Sequence, residues 1–525
     1  MLNFLKYSPP AHKDAFDLTF GDNKIQITRH DISDAVVSAD LEKTLSNVKT
    51  IIHSDINGDI KIRHFMCHTK EDSRKGFLVW VDGLVNSTLL NDFILRPLMD
   101  FSSQNISCKG QDISFFVENF IHQGAIAYKS NLAELVGEIN TGNAVLFIDG
   151  CTQGVSFDIK TWEHRGVDTP LNEAVVEGPH EAFNEVLRCN SALVRKIINS
   201  SDLVMQTFFL GTKSKTPSSL AYIDGLINPA LLCEIQKRLS SIKTEYVLSS
   251  FDVEKMMEEN SFLPMQQILS TERPDKVARA LIEGRAALLI NGSSQALILP
   301  SNITDIISSP EDAYLRRPYS VFIKLIRLIA VLLSLFTPAV YLAMTNFHTD
   351  AILTDMLITL SGASHGVAFS PLTEVVIMEL AFELIKEAGV RIPGAIGSSL
   401  GIVGGLILGQ SAVSAGLVSP IVIIIVSICG IASFAIPSYS LSFSFRISRF
   451  LYIIAGAFLG MIGIVSLVCI HLALILGTKS FGVPVFVPFS PITSKHPVIH
   501  AIFDSHYKIK PPSYLKTGKE RNDKN

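Results

Sequence analysis

Residues 395–415 read AIGSSLGIVGGLILGQSAVSA, an uncharged stretch with glycine at every fourth position, Gly397, Gly401, Gly405 and Gly409. In a water-soluble helix each of these costs about 1 kcal/mol relative to alanine. In a bilayer the spacing is useful, because it clears one helix face and lets a second helix pack against bare backbone. Gly456 and Gly460 repeat the pattern further on. Both sets lie in a block from roughly 320 to 490 that reads as hydrophobic helices broken by short polar turns. The chain is therefore expected to be an integral membrane protein whose helices are built to pack on other helices.

Composition agrees. Charged residues make up 18% of the 525, against about 25% in soluble proteins. The net charge of −4 argues against a dedicated nucleic-acid binder. The start, MLNFLKYSPPAHKDAF, shows neither a long apolar run nor a small-residue cleavage site, so no signal peptide is read there. The seven cysteines are scattered and form no CxxC pair, as suits a reducing compartment. Residues 1–310 are expected to form a soluble domain on the cytoplasmic side, 311–492 a transmembrane helical domain, and 493–525 a polar, basic tail, disordered over 505–525.

Five spans are placed near 321–343, 371–388, 395–415, 418–437 and 450–476, each about the 17 to 25 residues a hydrocarbon core requires. Arg316, Arg317, Lys324 and Arg327 precede the first span, and the loop 344–370 has no Lys or Arg, which puts the N-terminal domain inside. Five crossings leave residues 477–525 outside, yet these hold eight Lys and Arg against three Asp and Glu. Either the charge rule is overridden or one segment does not span, with 371–388 the candidate for a re-entrant or tilted one.

The soluble half repeats itself. Val81-Asp82-Gly83-Leu84-Val85-Asn86 matches Ile223-Asp224-Gly225-Leu226-Ile227-Asn228, and 142–150 (GNAVLFIDG) matches 284–292 (GRAALLING). Both pairs are offset by 142, since 224 − 82 and 292 − 150 agree. Two copies of one α/β subdomain are read, about 55–165 and 200–305. Each opens on an apolar strand ending in Asp-Gly, continues into a helix and closes with a hairpin. Residues 179–200 read as a connecting helix. The fold class expected is thus a duplicated α/β soluble domain followed by an α-helical membrane bundle of about five transmembrane helices.

Chemistry is sparse. Asp82, Asp149 and Asp224 are candidate carboxylates, but the glycine after Asp82, Asp149 and Asp224 favours a turn-forming role. His64, Cys67 and His68 lack a second ligand cluster and read as surface residues rather than a metal site. There is no Gly-rich phosphate loop, GxSxG or HExxH. No catalytic, cofactor or metal residues are assigned, and an enzyme is not expected. In the membrane half, Glu374, Glu379 and Glu383 stand in an apolar helix, and intramembrane carboxylates usually face a bundle interior or water. They are candidates for an ion path, with Val367 and Phe369 in the preceding small-residue loop as gate candidates. The alternative has Glu383 and Glu387 near the inner interface, paired with Lys386 and Arg391.

These segments together resemble the A subunits of GerA-type spore germinant receptors. The resemblance is carried by Arg317-Pro318, MELAFELIKEAGVRIP (378–393), GQSAVSAGLVSP (409–420), IPSYSLS (436–442) and SFGVPVFVPFSP (480–491). In the soluble half it is carried by 177–198, GTKSKT (211–216) and GRAALLING (284–292). It implies a non-enzymatic, oligomeric subunit of the spore inner membrane, working with a transporter-like B subunit and a lipoprotein C subunit and turning germinant binding into ion release as part of a ligand-gated channel. It also implies a charged pair before Gly-Val-Pro-Phe, where this chain has Ser364-His365-Gly366-Val367-Ala368-Phe369; His365 is then a candidate pH-sensitive residue. Two alternatives stand beside it, a secondary transporter and a non-conducting scaffold for signalling partners. The absence of repeats in the membrane half weakens the transporter.

Overall fold

The structure, a computed structural model, describes residues 36–68, 73–99, 112–122, 124–160, 170, 173–260, 266–391, 395–487 and 489–490. Side chains at 68, 390, 391, 395–403, 406 and 439 are not among those described, and the expected tail 493–525 lies outside the described residues.

The first unit runs α1 (Leu41–Ile51), β1 (Ile60–His68), β2 (Ser73–Val81) and α2 (Ser87–Leu90), the last continuing through a π-helical turn into α3 (Arg96–Met99). Then come α4 (Ile113–Phe120), β3 (Ile126–Lys129), α5 (Leu132–Asn140), β4 (Ala144–Ile148) and β5 (Gly154–Phe157). After α6 (Leu187–Ile197) the second unit repeats the plan with β6 (Leu203–Leu210), β7 (Thr216–Ile223), α7 (Pro229–Ser241), α8 (Ser250–Met257), β8 (Leu269–Thr271), α9 (Pro274–Ile282), β9 (Ala286–Ile290) and β10 (Ala296–Leu299). The two sheets are antiparallel with matching orders, β1-β2-β4-β5-β3 and β6-β7-β9-β10-β8. Register carries the repeat: Phe77 pairs with Phe147 and Ser219 with Leu289, and 219 − 77 and 289 − 147 both give 142.

Each sheet is covered on both faces, which explains why its central strands are apolar throughout rather than alternating. In the first unit, Phe77, Val79 and Val145 pack on α1 and α5, while Leu78 and Leu146 pack on α2, α3 and α4. In the second, Leu220 and Leu288 pack on α7 and α8, and Ala221 and Leu289 on α6 and α9. The Asp-Gly turns place Gly83 at φ +93° and Gly225 at φ +74°, a region that costs a side-chain-bearing residue. Three residues later Asn86 and Asn228 cap the following helices, each accepting backbone N–H bonds through its side chain.

The units are locked together. Arg195, 2% exposed, forms a two-point ion pair with Asp59 at 2.6 and 3.0 Å. Asn57 accepts from the Met205 N–H, and Gly58 donates to the Met205 carbonyl. The connecting helix is shorter than the expected 179–200. It starts only at Leu187, because Phe183 is buried and donates its N–H to the Glu272 carbonyl, and the Asn190 side-chain amide bonds both the backbone N–H and the carbonyl of Asn184.

The membrane half contains α11 (Arg317–Phe347) after the short α10 (Ile303–Ile307), then α12 (Thr354–Ser364), α13 (Pro371–Arg391), α14 (Ala395–Ser414), α15 (Pro420–Phe434) and α16 (Tyr439–Leu476). Among the described residues, two helices, Arg317–Phe347 and Ser440–Leu476, are long and apolar enough to cross a membrane; Pro420–Phe434 is apolar but shorter. Their outward side chains are apolar, with Phe322, Phe458 and Ile462 each more than 60% exposed. Of the five expected spans, length and composition among the described residues pick out the first and the last. The segment 450–476, expected as one span, is not straight. Gly460 sits at φ 61°, ψ −148°, outside helical space, and the chain reverses there. Tyr452 reaches His471, and Ala455 backs against Gly463. The first arm has about 21 residues, one hydrocarbon thickness, and the second about 16, or about 24 Å. The chain then returns to the soluble half as a small hairpin, β11 (Lys479–Ser480) and β12 (Val483–Pro484).

Candidate coupling site in and beneath the membrane helices

Four helices bring polar side chains into one apolar bundle. Glu379 and Glu383 lie one turn apart on α13, and Arg446 and Arg449 one turn apart on α16, so two such stripes can meet as pairs. Arg449 bonds Glu379 at 2.6 Å and Ser334 of α11 at 3.0 Å, with both charged side chains 3% exposed. Arg446 bonds Glu383 at 3.0 Å. Lys386 bonds Ser433 of α15 and stands 4.8 Å over the Phe434 ring. The Cys429 thiol donates to the Ser334 carbonyl at 2.9 Å. Glu379 Oε1 and Arg449 Nε have no hydrogen-bond partner among the described residues. A buried pair of this kind is strongly destabilised by removing one member, by about 3–5 kcal/mol.

Glu374 sits apart from these. It is 1% exposed and accepts from the backbone N–H of Ser419 at 2.8 Å, at the N-terminal end of α15, where a carboxylate complements the helix dipole. The candidate gate loop lies at the same end. Ala368 donates to the Gly416 carbonyl, Val367 is half-buried, and Phe369 is 43% exposed. His365 terminates α12, a helix with no buried residue.

The glycines divide by neighbour. Gly397 and Gly401 lie on α14 within the stretch whose side-chain surroundings are not described. A Cβ on Gly405 would meet the Phe382 ring at 3.7 Å, and one on Gly409 would meet Ile423 at 3.5 Å, both ordinary contacts. Gly456 differs: its Cβ would lie 2.5 Å from the Ala339 carbonyl oxygen, so α16 and α11 touch backbone to backbone there. Gly460 is the hairpin turn itself, against Phe347 at the end of α11.

Beneath the bundle the second unit grips both ends of the membrane half. At the entrance, Arg327 of α11 is buried and bonds Asp312 at 2.7 and 3.3 Å and the Ile307 carbonyl. Tyr314 donates to Asp275 at 2.6 Å; burial, and then this hydrogen bond, pushes its hydroxyl up to about 12. At the exit, Phe481, Val483 and Val487 enter the core between α7, α8 and the sheet, and Val485 enters the core on the opposite face. Arg238 lies 4.6 Å over the Phe481 ring, and Glu259 ties Arg238 to the Gly482 N–H. Nearby on α8, burial, and then the charge of Glu258, pushes the Glu254 carboxyl up to about 8.

Other candidates fall elsewhere. Asp82 pairs with Arg188 at 3.2 Å and Asp224 lies 3.7 Å from His53, so the two equivalent turns each face the other unit. Asp149 bonds through its backbone to Lys75 beside β2. Cys67 is not a surface residue: strand alternation turns Phe65 and Cys67 into the core, while His64 is exposed and the His68 side chain is outside the described set. The sequence signal for these partners is a polar group inside an apolar run, as at Arg327, Ser334 and Arg449, of which Arg327 carries a reading in the sequence, as a marker of sidedness.

The Bacillus/Clostridium GerA spore germination protein model matches residues 46–510. Spore germination protein B1 of Bacillus subtilis (strain 168) is 33% identical over 93% of this chain and 98% of its own. Spore germination protein GerLA of Bacillus cereus is 33% identical over 79% of this chain and 84% of its own. An uncharacterized membrane protein, YfkQ, of Bacillus subtilis (strain 168) is 34% identical over 90% of each. The N-terminal domain of the A subunit of the Bacillus megaterium spore germinant receptor GerK3, a crystal structure, is 25% identical and covers 50% of this chain and 96% of its own, with a TM-score of 0.36. A match over most of the chain, with relatives above 30% identity across nine-tenths of it, is sufficient: this chain belongs to the GerA family of spore germination proteins.

Proposed function

We propose that the chain is the A-type subunit of a germinant receptor that oligomerises in the spore inner membrane and turns germinant binding into ion release, as the conducting part of a ligand-gated channel. It works with a B subunit that takes the nutrient and a lipoprotein C subunit. Its soluble half faces the cytoplasm. If the four other expected spans also cross, counting the two arms of α16 separately gives six crossings, which supports placing the soluble half and the basic tail on one side, as the positive-inside rule asks.

The observation that carries the channel reading is the row of carboxylates on α13 and their partners. Glu379 and Glu383 are closed by Arg449 and Arg446, and Glu374 by a helix N-terminus. In this reading the pairs hold the path shut, and a small slide of α16 against α13 frees the carboxylates to attract cations, with Val367 and Phe369 as the apolar constriction above them. Gly397, Gly401, Gly405 and Gly409 form the helix-packing face of α14, and Gly405 and Gly409 meet α13 and α15 of the same chain.

Nutrient-triggered ion release from spores, with planar-bilayer recording of the purified complex, tests this. Glu379→Gln and Glu383→Gln should lower conductance. Unchanged release and conductance in both variants would remove the carboxylates from the path, and a complex that never conducts would favour the scaffold.

A further inference from the structure

The segment after the last membrane helix is short, apolar and inserted. Phe481 is 1% exposed, Val483 and Val485 are fully buried, and Val487 is 3% exposed. The cluster around Phe481, Val483 and Val487 is built from the second soluble unit, whereas the one around Val485 also takes in Leu441, Phe445 and Ile475 of α16 and Val331 of α11. Phe481, Val483 and Val487 belong to the core under α7 and α8, and Val485 to the core between the sheet and α9. Polar bonds fix the register at three further points. The Ile303 N–H donates to the Val485 carbonyl at 2.7 Å, the Ser301 N–H to Ser480 Oγ at 3.3 Å, and the Gly482 N–H to Glu259 at 3.2 Å. Only Gly477 and Thr478 separate the second arm of α16 from this insertion, and the Thr478 hydroxyl still bonds the Leu474 carbonyl. There is no slack in the connection.

The other end of the bundle is tied to the same unit by the Tyr314 hydroxyl on Asp275, with Arg327 bonded to Asp312 in the connecting segment. Arg449, the partner of Glu379, lies on the first arm of α16, and that arm is bonded to the second through Tyr452 and His471.

We propose that residues 478–487 are a strap that couples the second soluble unit to the α16 hairpin, so that a movement of that unit is delivered to the Arg449–Glu379 pair. The inference rests on the receptor reading above. It goes beyond that reading in naming where the soluble half acts on the membrane half. A short, rigid connection of this kind is a physical route by which coupling between separated sites can travel.

The test adds slack without undocking the strap. Six Gly and Ser residues inserted between Gly477 and Thr478 give a flexible link of about 13 Å root-mean-square reach. In the full chain, amide protection of 478–487 should stay as in the parent, because the docked contacts are untouched. Nutrient-triggered ion release should fall about tenfold or more. A companion variant, Phe481→Ala with Val483→Ala, should lose both protection and release. Full release with the inserted slack overturns the strap, and so does full release in the undocked variant. If spores lacking the whole chain release ions normally in response to nutrient, it is the receptor reading that fails, and the two failures are told apart.

Discussion

Tyr452 Oη lies 3.1 Å from His471 Nδ1, although 19 residues separate them along what is apolar helix on both sides. A straight helix would hold them about 28 Å apart. The contact exists because Gly460 turns the chain back on itself at a backbone conformation that only glycine adopts readily. Replacing Gly460 with alanine should therefore disrupt the hairpin more than any neighbouring Gly→Ala change. The check is thermal unfolding of the detergent-solubilised chain, with Gly404→Ala, which meets nothing within 4 Å, as the tolerated comparison.

Arg449→Ala should strand the Glu379 carboxylate among apolar side chains. A loss of about 3–5 kcal/mol in stability is expected. The double variant Arg449→Met with Glu379→Leu should recover most of it, because no charge is then left buried. Equal losses in single and double variants would show that the pair contributes through packing alone.

Gly456→Ala places a methyl against the Ala339 carbonyl, and α16 must move off α11 to admit it. A cost of about 1–3 kcal/mol is expected. Gly405→Ala meets only the edge of Phe382 at van der Waals distance and should be neutral within about 0.5 kcal/mol. Parity between the two would contradict the close crossing of α11 and α16.

Glu254 makes the second unit pH-sensitive. Its carboxyl titrates near 8 when folded, against an ordinary value of 4.5. Between those values the folded chain keeps a proton that the unfolded chain has released. Stability therefore falls as pH rises through that window and levels off above it. Glu254→Gln should flatten this slope and stabilise the chain at pH 8, read from denaturant midpoints at several pH values.

The duplicated half was legible because two motif pairs shared one offset, and the same residues proved to be turn glycines, helix-capping asparagines and matched strand registers. The α16 turn was not. Gly456 and Gly460 share one spacing but do different things, one a close crossing and the other a reversal, and no proline or polar turn marks the difference. The insertion at 481–487 was also hidden, since Val, Phe and Pro after a span read equally as an interfacial segment. At the candidate site, the α13 carboxylates announced themselves by being charged in an apolar run, whereas their partners lie some 60 to 70 residues away and only folding pairs them.

The most direct measurement places cysteines at Tyr452 and His471, in a background with Cys469→Ser, and treats native membranes with a short bifunctional thiol crosslinker. A hairpin at Gly460 gives an efficient link within one chain, which does not form when either cysteine is omitted. A continuous helix separates the two positions by about 28 Å and gives none; that outcome would contradict the even number of crossings, the strap beneath them and the route proposed from the soluble half to Glu379.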